Sequence, residues 1–471
     1  MGIEDWNTAF EKAGFKNAII AKDPPTKEED PDFSAEDIRY STVRYVASTT
    51  RNAVGPSVSD PRTGEILESD IIWYHNHLRS YRNRYLIETG AANPKARTLD
   101  TPEEEIGEMM RRVISHEIGH ALGLPHNMKA SSAYPVDSLR SGSFTQKFGI
   151  ATSIMDYARY NYVAQPGDKN IRFVRQLGPY DDYSIEWGYR YFGDTPENER
   201  EILRKFVDSK SLDPIYMFGG YGNDPNSQTE NIGNDPVKAS MYGIKNLKIV
   251  AKNLTNWTLE PNANYEDLNE IYGELISVYR RYIYHVHNMV GGIYNTTHNS
   301  NQTGVTTYLN TDVSKQKEAL LFLEQNLWKT QDWLMKKKLV SKIKEEGVLA
   351  SFQDLQIGAL NRLLSVNKLN RMLSAQESLE GNPLTVEQLL QSLFKTIATK
   401  PFSDDLFEQG LQLHFVNRIT FLMNEKDLNP TVKGLLMQLK NDFNSLSKRK
   451  IRFAKGKKKA HFNYLKSLSN N

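Results

Sequence analysis

The chain of 471 residues contains no cysteine, which removes thiolate metal ligands, a cysteine nucleophile and any disulfide framework. An extracellular or periplasmic address stays open all the same, because a large domain does not need covalent staples as a small secreted one does. Long apolar runs are missing too, so no segment reads as a bilayer span, and the N-terminus MGIEDWNTAF has neither the basic nor the apolar region of an export signal. Charge of one sign is not in excess. With 59 basic and 57 acidic residues the formal charge is +2, which gives no whole-chain argument for nucleic acid, membrane or acidic substrate. No periodic repeat is found. The length suits two or three domains better than one compact unit.

What is present changes character along the chain. The first 190 or so residues read as a mixed α/β unit. IEDWNTAFEKAGF has a roughly helical rhythm, IRYSTVRYVAS at 38–48 alternates like a strand, and SDIIWYH reads as another. Between them GPSVSDPRTGEI reads as a short extended segment with a turn at Asp60 to Gly64. Residues 78–102 are charged and contain Gly and Pro. After them TPEEEIGEMMRRVISHEIGHALG predicts a helix: Thr101 or Asp100 can cap it, Pro102 suits its first turn, and Glu103 to Glu105 suit the positive end of its dipole. Residues 191–236 read as linker, with one short helical stretch and a loop rich in Gly, Asn, Asp and Pro. Helical patterns follow at about 237–254, 262–289, 313–340, 355–374, 386–398, 403–423 and 429–447. The expected organisation is an α+β domain over 1–190, an all-α domain over 237–447 and a basic tail over 448–471.

One stretch carries chemistry: HEIGHALGLPHN, residues 116–127. His116 and His120 are one helical turn apart, so their side chains share a face and can converge on one ion. Glu117 projects beside them, placed to poise a water instead of binding metal. Gly123 can adopt the left-handed conformation that ends a helix, and that turn brings His126 back towards the ion. HExxH alone also occurs on ordinary helices, whereas HExxHxxGxxH sets ligand, base, turn and ligand in order. Three imidazoles leave a fourth position for water, unlike a structural zinc site closed by four protein ligands.

His116, Glu117, His120, Gly123 and His126 match the long zinc-binding consensus of metzincin peptidases, and SIMDY at 153–157 resembles their methionine turn. The likeness extends through WNTAFEKAGFKNAI, GPSVSDPRTGEI, LPHNMKASSAYP, SIMDYARYNYVAQPGD and the GGIY stretch at 291–294 to metzincin-like proteases of Bacteroidetes bacteria. The resemblance implies a twisted mixed sheet with an active-site helix, one catalytic Zn²⁺, and peptide-bond hydrolysis, expected to be endopeptidic, by a metal-activated water with Glu117 as general base and acid. It implies a peptide or protein substrate and a secreted, periplasmic or cell-surface protein of a Gram-negative bacterium whose export signal is absent from this chain. The alternative is a non-catalytic, metal-stabilised peptide-binding or scaffold protein, which has no need of Glu117.

Further roles follow from the resemblance. Met155 would floor the site without ligating, a position that core filling alone would also explain. Tyr157 stands where related families carry a tyrosine that can approach the metal, which implies a catalytic role at the oxyanion; a buried structural tyrosine fits as well. Asn127 would support the turn after His126, or satisfy local backbone groups. Gly55, Pro56, Ser57 and Val58 resemble the edge strand against which a substrate lies, with an exposed loop as the alternative. Tyr160, Tyr162 and Val163 are expected on the wall of the primed-side pocket. In one respect the chain departs from the family: the sheet usually begins with a strand before the first helix, whereas EDWNTAF starts almost at residue 4, so that strand lies upstream or the sheet is smaller.

The remaining candidates read more plainly. His75 and His77 would share a strand face, but no carboxylate motif completes a second metal site. His285 and His287, two apart on a helix, do not aim at one ion. The oxygen-rich residues 222–236 could attract calcium, yet the EF-hand spacing is absent and a solvent-facing loop is the better reading. KRKIRFAKGKKKAHF is a local basic run with no nucleic-acid fold beside it and reads as a solvated tail. The sequence leaves the oligomeric state open.

Overall fold

The protein is described here from a computed structural model covering residues 1–193, 195–400 and 404–470. Position 194 of the expected linker, the start of the expected helix at 403 and the last residue of the expected tail lie outside the described residues.

A 3-10 turn at Glu4–Trp6 leads into α1 (Asn7–Lys12). Trp6 is fully buried, and its indole N–H donates to the Ser115 carbonyl at 2.8 Å. Strands β1 (Val43–Val46), β2 (Ala53–Val54), β3 (Ser57–Ser59), β4 (Ile66–Ser69) and β5 (Ile71–Tyr74) form two small sheets. In the first, β5 is central, parallel to β1 and antiparallel to β2. The second is the hairpin of β3 and β4. Ile71 and Trp73 turn inward from β5 while Ile72 and Tyr74 stay partly exposed, the alternation of a half-buried strand. The sheet is thus mixed and small.

Helix α2 (His77–Thr89) was not legible as a helix, because it has no apolar stripe. Arg84 and Glu88 are buried on it among Tyr81, Tyr85, Leu86 and Ile87, and paired charges replace the usual polar face. Next comes α3 (Glu103–Ala121), which carries the histidine motif, with three glutamates in its first turn as expected. Two helices, α4 (Gly142–Phe148) and α5 (Pro179–Tyr189), bracket the methionine turn. After α6 (Pro196–Asp208) the chain runs as loop, with a 3-10 turn at Pro214–Tyr216, to α7 (Pro236–Thr258) and α8 (Glu266–His287).

A hairpin of β6 (Ile293–Asn295) and β7 (Tyr308–Asn310) precedes α9 (Val313–Leu323), α10 (Lys337–Ile343), α11 (Leu349–Leu363), α12 (Val366–Ser378) and α13 (Val386–Leu393). The expected helix over 313–340 is therefore broken between Trp328 and Lys337, and the one over 355–374 is two helices divided at Leu364 and Ser365. Then follow α14 (Leu406–Met423), α15 (Pro430–Ile451) and α16 (Gly456–Asn470).

Two features of the packing bear on organisation. One hydrophobic core runs from Leu86 and Ile87 through Tyr162 and Val163 to Leu465, so the packing does not divide at residues 190 and 237. The physical reason is that α2 and the segment after the methionine turn bury their apolar side chains against α7 and α8. The basic run is not a solvated tail either. Its lysines face outward, but α16 buries His461, Phe462 and Leu465, and His461 meets the Gln412 side chain at 2.8 Å. Phe462→Ala is expected to cost about 3 to 5 kcal/mol of stability by urea unfolding, the scale of a phenylalanine removed from a core; a tail residue would leave the midpoint unchanged.

Candidate metal centre

Gly123, at φ +84°, ends α3 in the left-handed region, and its N–H reaches the His120 carbonyl at 2.9 Å. The turn folds His126 back over the helix. His126 Nε2 comes to lie 3.3 Å from His116 Nε2 and 3.0 Å from His120 Nε2.

The other ring nitrogens fix the tautomers. His116 Nδ1 lies 2.8 Å from the Ile154 carbonyl and His120 Nδ1 lies 2.8 Å from the Leu124 carbonyl. A carbonyl only accepts, so each Nδ1 carries the proton and each Nε2 presents a lone pair. Burial pushes His116 well below its ordinary pKa, with Arg175 and His120 adding to the effect, and holds His126 down to about 4. The Nε2 lone pairs of His116 and His120 and the Nε2 of His126 thus converge on one point, the arrangement of three imidazoles around a single cation. The donor set therefore fits a divalent metal that favours nitrogen ligands. Among the described residues these three histidines are the group that could hold one. His75 meets the Tyr45 hydroxyl, and His77 is buried against Trp73 and Tyr81.

Met155 is buried directly beneath. A Cβ built on Gly119, between the two helix histidines, would stand 2.2 Å from the Met155 sulfur and 2.9 Å from the Trp6 ring. Only a glycine there lets the methionine turn close on α3. Asp181, fully buried at the start of α5, holds that turn: it accepts from Ser153 Oγ at 2.6 Å and from the N–H groups of Ile154 and Gly178 at 2.8 Å. The Ile154 carbonyl that orients His116 is thus itself held in place. Asp156 anchors the other side by accepting from the N–H groups of Ser131 and Ala158, each at 2.8 Å.

A profile of the Met-zincin family matches residues 98–403, from just before α3 into the helical region. The chain belongs to the Met-zincin family. No curated protein and no solved structure matches it. Met-zincin membership implies zinc as the metal and a peptide or protein as the substrate class.

Around the histidines of this Met-zincin, Glu117 is 7% exposed, and burial raises its pKa to about 7 against the opposing pull of Arg175. Gly55 stands against it: a Cβ there would lie 2.9 Å from the Glu117 carbonyl oxygen and 3.2 Å from its carboxylate. Pro56 accepts from the Ser69 hydroxyl at 2.7 Å, while Ser57 and Val58 are exposed on the hairpin. The Tyr157 ring sits 4.4 Å from that of His126.

Asn127 is fully buried. Its side chain accepts from the N–H groups of Lys129 and Gly219 and donates to the Met217 carbonyl, so it ties the loop after α6 to the centre.

Three expected wall residues are elsewhere. Tyr160, Tyr162 and Val163 are at most 1% exposed. Tyr160 donates to the Tyr81 carbonyl, and Tyr162 lies against Tyr282. Tyr162 and Val163 go into the core shared with α7 and α8, and Tyr160 into a second core with Trp73, Tyr81, Tyr85 and Met109; neither set of partners is close along the chain. The calcium expectation fails for a similar reason: Asp224 is paired with Lys129, Glu230 with arginines, and Asp235 caps α7. A residue the sequence did not mark is Arg175, 3% exposed, whose guanidinium donates to the Asp156 carbonyl. In FVRQLG nothing distinguishes it from a surface arginine.

Gly119→Ala is expected to lose about 1 to 3 kcal/mol, the cost of overpacking a close contact, and to weaken zinc binding in a competition titration with a chromogenic chelator. Burial raises Asp181 from 3.8 to about 7, opposed by Ser153 and the backbone N–H groups. A raised folded-state pKa means that the folded protein binds more protons, so this contribution is complete below 3.8 and lost as pH rises through about 7. Asp181→Asn should flatten that part of the fall in stability, measured as urea midpoints of the metal-free protein from pH 5 to pH 8.

Proposed function

We propose that this Met-zincin is a zinc-dependent endopeptidase in which Glu117 is the general base and acid. The observation that carries the reading is the placing of a largely buried carboxylate of raised pKa on the same turn as two imidazoles with fixed tautomers. Bound by His116, His120 and His126, zinc supplies a Lewis acid and acidifies water. Glu117, near neutrality, can take a proton from water and return it to the leaving amine, since its two protonation states lie close in free energy. Arg175, buried nearby, keeps that pKa from rising further and disfavours charged histidines. Tyr157, beside His126, is the side chain proposed to donate to the developing oxyanion. Gly55 and the β3 hairpin form the wall on which an extended peptide would lie. Backbone pairing along β3, whose edge away from β4 has no strand beside it among the described residues, gives affinity with little demand on side chains.

The intact Glu117 favours this reading over a scaffold that retains a metal only for stability. The test compares the parent with Glu117→Gln on an unstructured protein substrate, with products identified by mass spectrometry. The parent, loaded with about one zinc per chain as three-histidine catalytic sites are, should yield internal fragments. Glu117→Gln should bind zinc equally and lose at least about a hundredfold in rate, the lower scale of general-base catalysis. Zinc binding by both proteins without cleavage of a broad peptide library would sink the proposal.

A further inference from the structure

The helical region carries a cavity of about 330 Å³ that takes none of its wall from the three histidines of the metal centre. Its wall includes His287, Ser365 and three cationic side chains, Arg362, Lys368 and Arg371, and it contains no carboxylate. Lys368 is only 9% exposed, and its ammonium donates to the Val290 carbonyl at 2.7 Å. Arg371 donates to the Asn223 side chain at 2.7 Å and to the Gly291 carbonyl at 3.4 Å. Val290 and Gly291 are adjacent, so the two cationic heads stand side by side. Arg362 lies over the Tyr284 ring at 4.2 Å.

Each of these partners is neutral, so none returns a full negative charge. The Arg371 Nε is buried with no hydrogen-bond partner. The carboxylate closest along the chain to Asn223, that of Asp224, is already held by Lys129 at 2.8 Å and by the N–H of Asn295. Burial first, then Arg371 and Arg362, push the Lys368 amine down to about 7, the response of a cation left without a counter-charge.

The cavity also receives the N-terminus of α12. Ser365 caps it by taking the Lys368 N–H at 3.3 Å, and the first-turn N–H groups of a helix have no partner within it and carry the positive end of its dipole. Like charges gathered with a helix N-terminus and no acid cost free energy that an anion would recover. Donors arriving from several elements match a tetrahedral dianion better than a planar carboxylate, and the volume exceeds that of the anion alone.

We propose that the cavity formed by Arg362, Lys368, Arg371 and the first turn of α12 binds a phosphate-type oxyanion, free or as the phosphate group of a small organic molecule. The site is independent of the metal. Asn223, held by Arg371, belongs to the loop whose near end Asn127 pins to the metal centre, so the anion would also secure that loop against α12.

Calorimetry on the full chain, with ionic strength held constant by chloride, tests this with inorganic phosphate, ribose 5-phosphate and N-acetylalanine as probes. Saturable binding of phosphate and a raised melting temperature are expected. Arg362→Gln, which removes an exposed side chain seated on Tyr284, and Arg371→Gln should each weaken binding at least about tenfold, the scale of one charge-assisted hydrogen bond. Tighter binding of ribose 5-phosphate assigns a phosphorylated metabolite, and equal binding assigns free phosphate. No saturable phosphate binding, equal affinity in parent and Arg362→Gln, or binding of N-acetylalanine alone would each overturn the proposal.

Discussion

The site depends on two hydrogen bonds that deliver no chemistry themselves: His116 Nδ1 to the Ile154 carbonyl and His120 Nδ1 to the Leu124 carbonyl, each 2.8 Å long. They decide which nitrogen of each ring carries the proton, and so which presents its lone pair to the metal position. Both acceptors are backbone atoms in segments that cannot drift. The Leu124 N–H is bonded back to the Gly119 carbonyl, and the Ile154 N–H to Asp181. Met155, wedged over Gly119, fixes how closely the turn approaches the helix. The methionine acts as a spacer between two backbones. Its neighbour's carbonyl then orients the first histidine.

Burial does the rest. Desolvation keeps the histidines neutral, as metal ligands must be, and lifts Glu117 towards neutrality. Arg175 acts on both in the same direction: its positive charge disfavours imidazolium and favours carboxylate, so it lowers the histidines further and limits the rise of Glu117 while holding the Asp156 carbonyl. A fully exposed site with the same residues would have charged histidines in mild acid and a glutamate ionised at all working pH values.

The legibility of this architecture follows sequence distance. The motif at 116–126 could be read because ligand spacing, helix period and a turn glycine all act within about three helical turns. The long helices were legible for the same reason: α7, α8 and α15 carry apolar residues at helical intervals. Where a contact joins distant segments the local pattern is silent. Tyr160, Tyr162 and Val163 looked like a pocket wall because they follow the methionine turn, yet their partners lie on α2, α7 and α8. The wholly local reading of α2 failed because its charges are satisfied by Glu230, Glu270 and Glu274, far along the chain. Arg175 could not be recognised because its importance comes from burial, which a single arginine in a short apolar stretch does not disclose.

That same long-range pairing explains why the helical region is not an appendage. Glu230, buried and held at φ +60°, accepts from Arg84 on α2 at 2.6 Å and from Arg159 at 2.9 Å, and pairs with Arg281 on α8. Against the burial that would raise it, these arginines hold its pKa down to about 2. Arg159 in turn lies over the Tyr157 ring, 5.6 Å from its centre, and that ring adjoins His126. A left-handed glutamate is a strained choice, and it persists here because three guanidinium groups from separate elements converge on it. Removing the carboxylate would leave those cations buried together, a disruption of about 3 to 5 kcal/mol when one member of a buried pair is lost. The loop from Met217 to Asp235 is therefore clamped at one end by Asn127 beside the metal ligands and near the other by Glu230 against α8. Through that loop the packing of the helices bears on Arg159 and on the Tyr157 ring that adjoins His126, so the geometry around the histidines depends on helices far along the chain and not only on neighbouring residues.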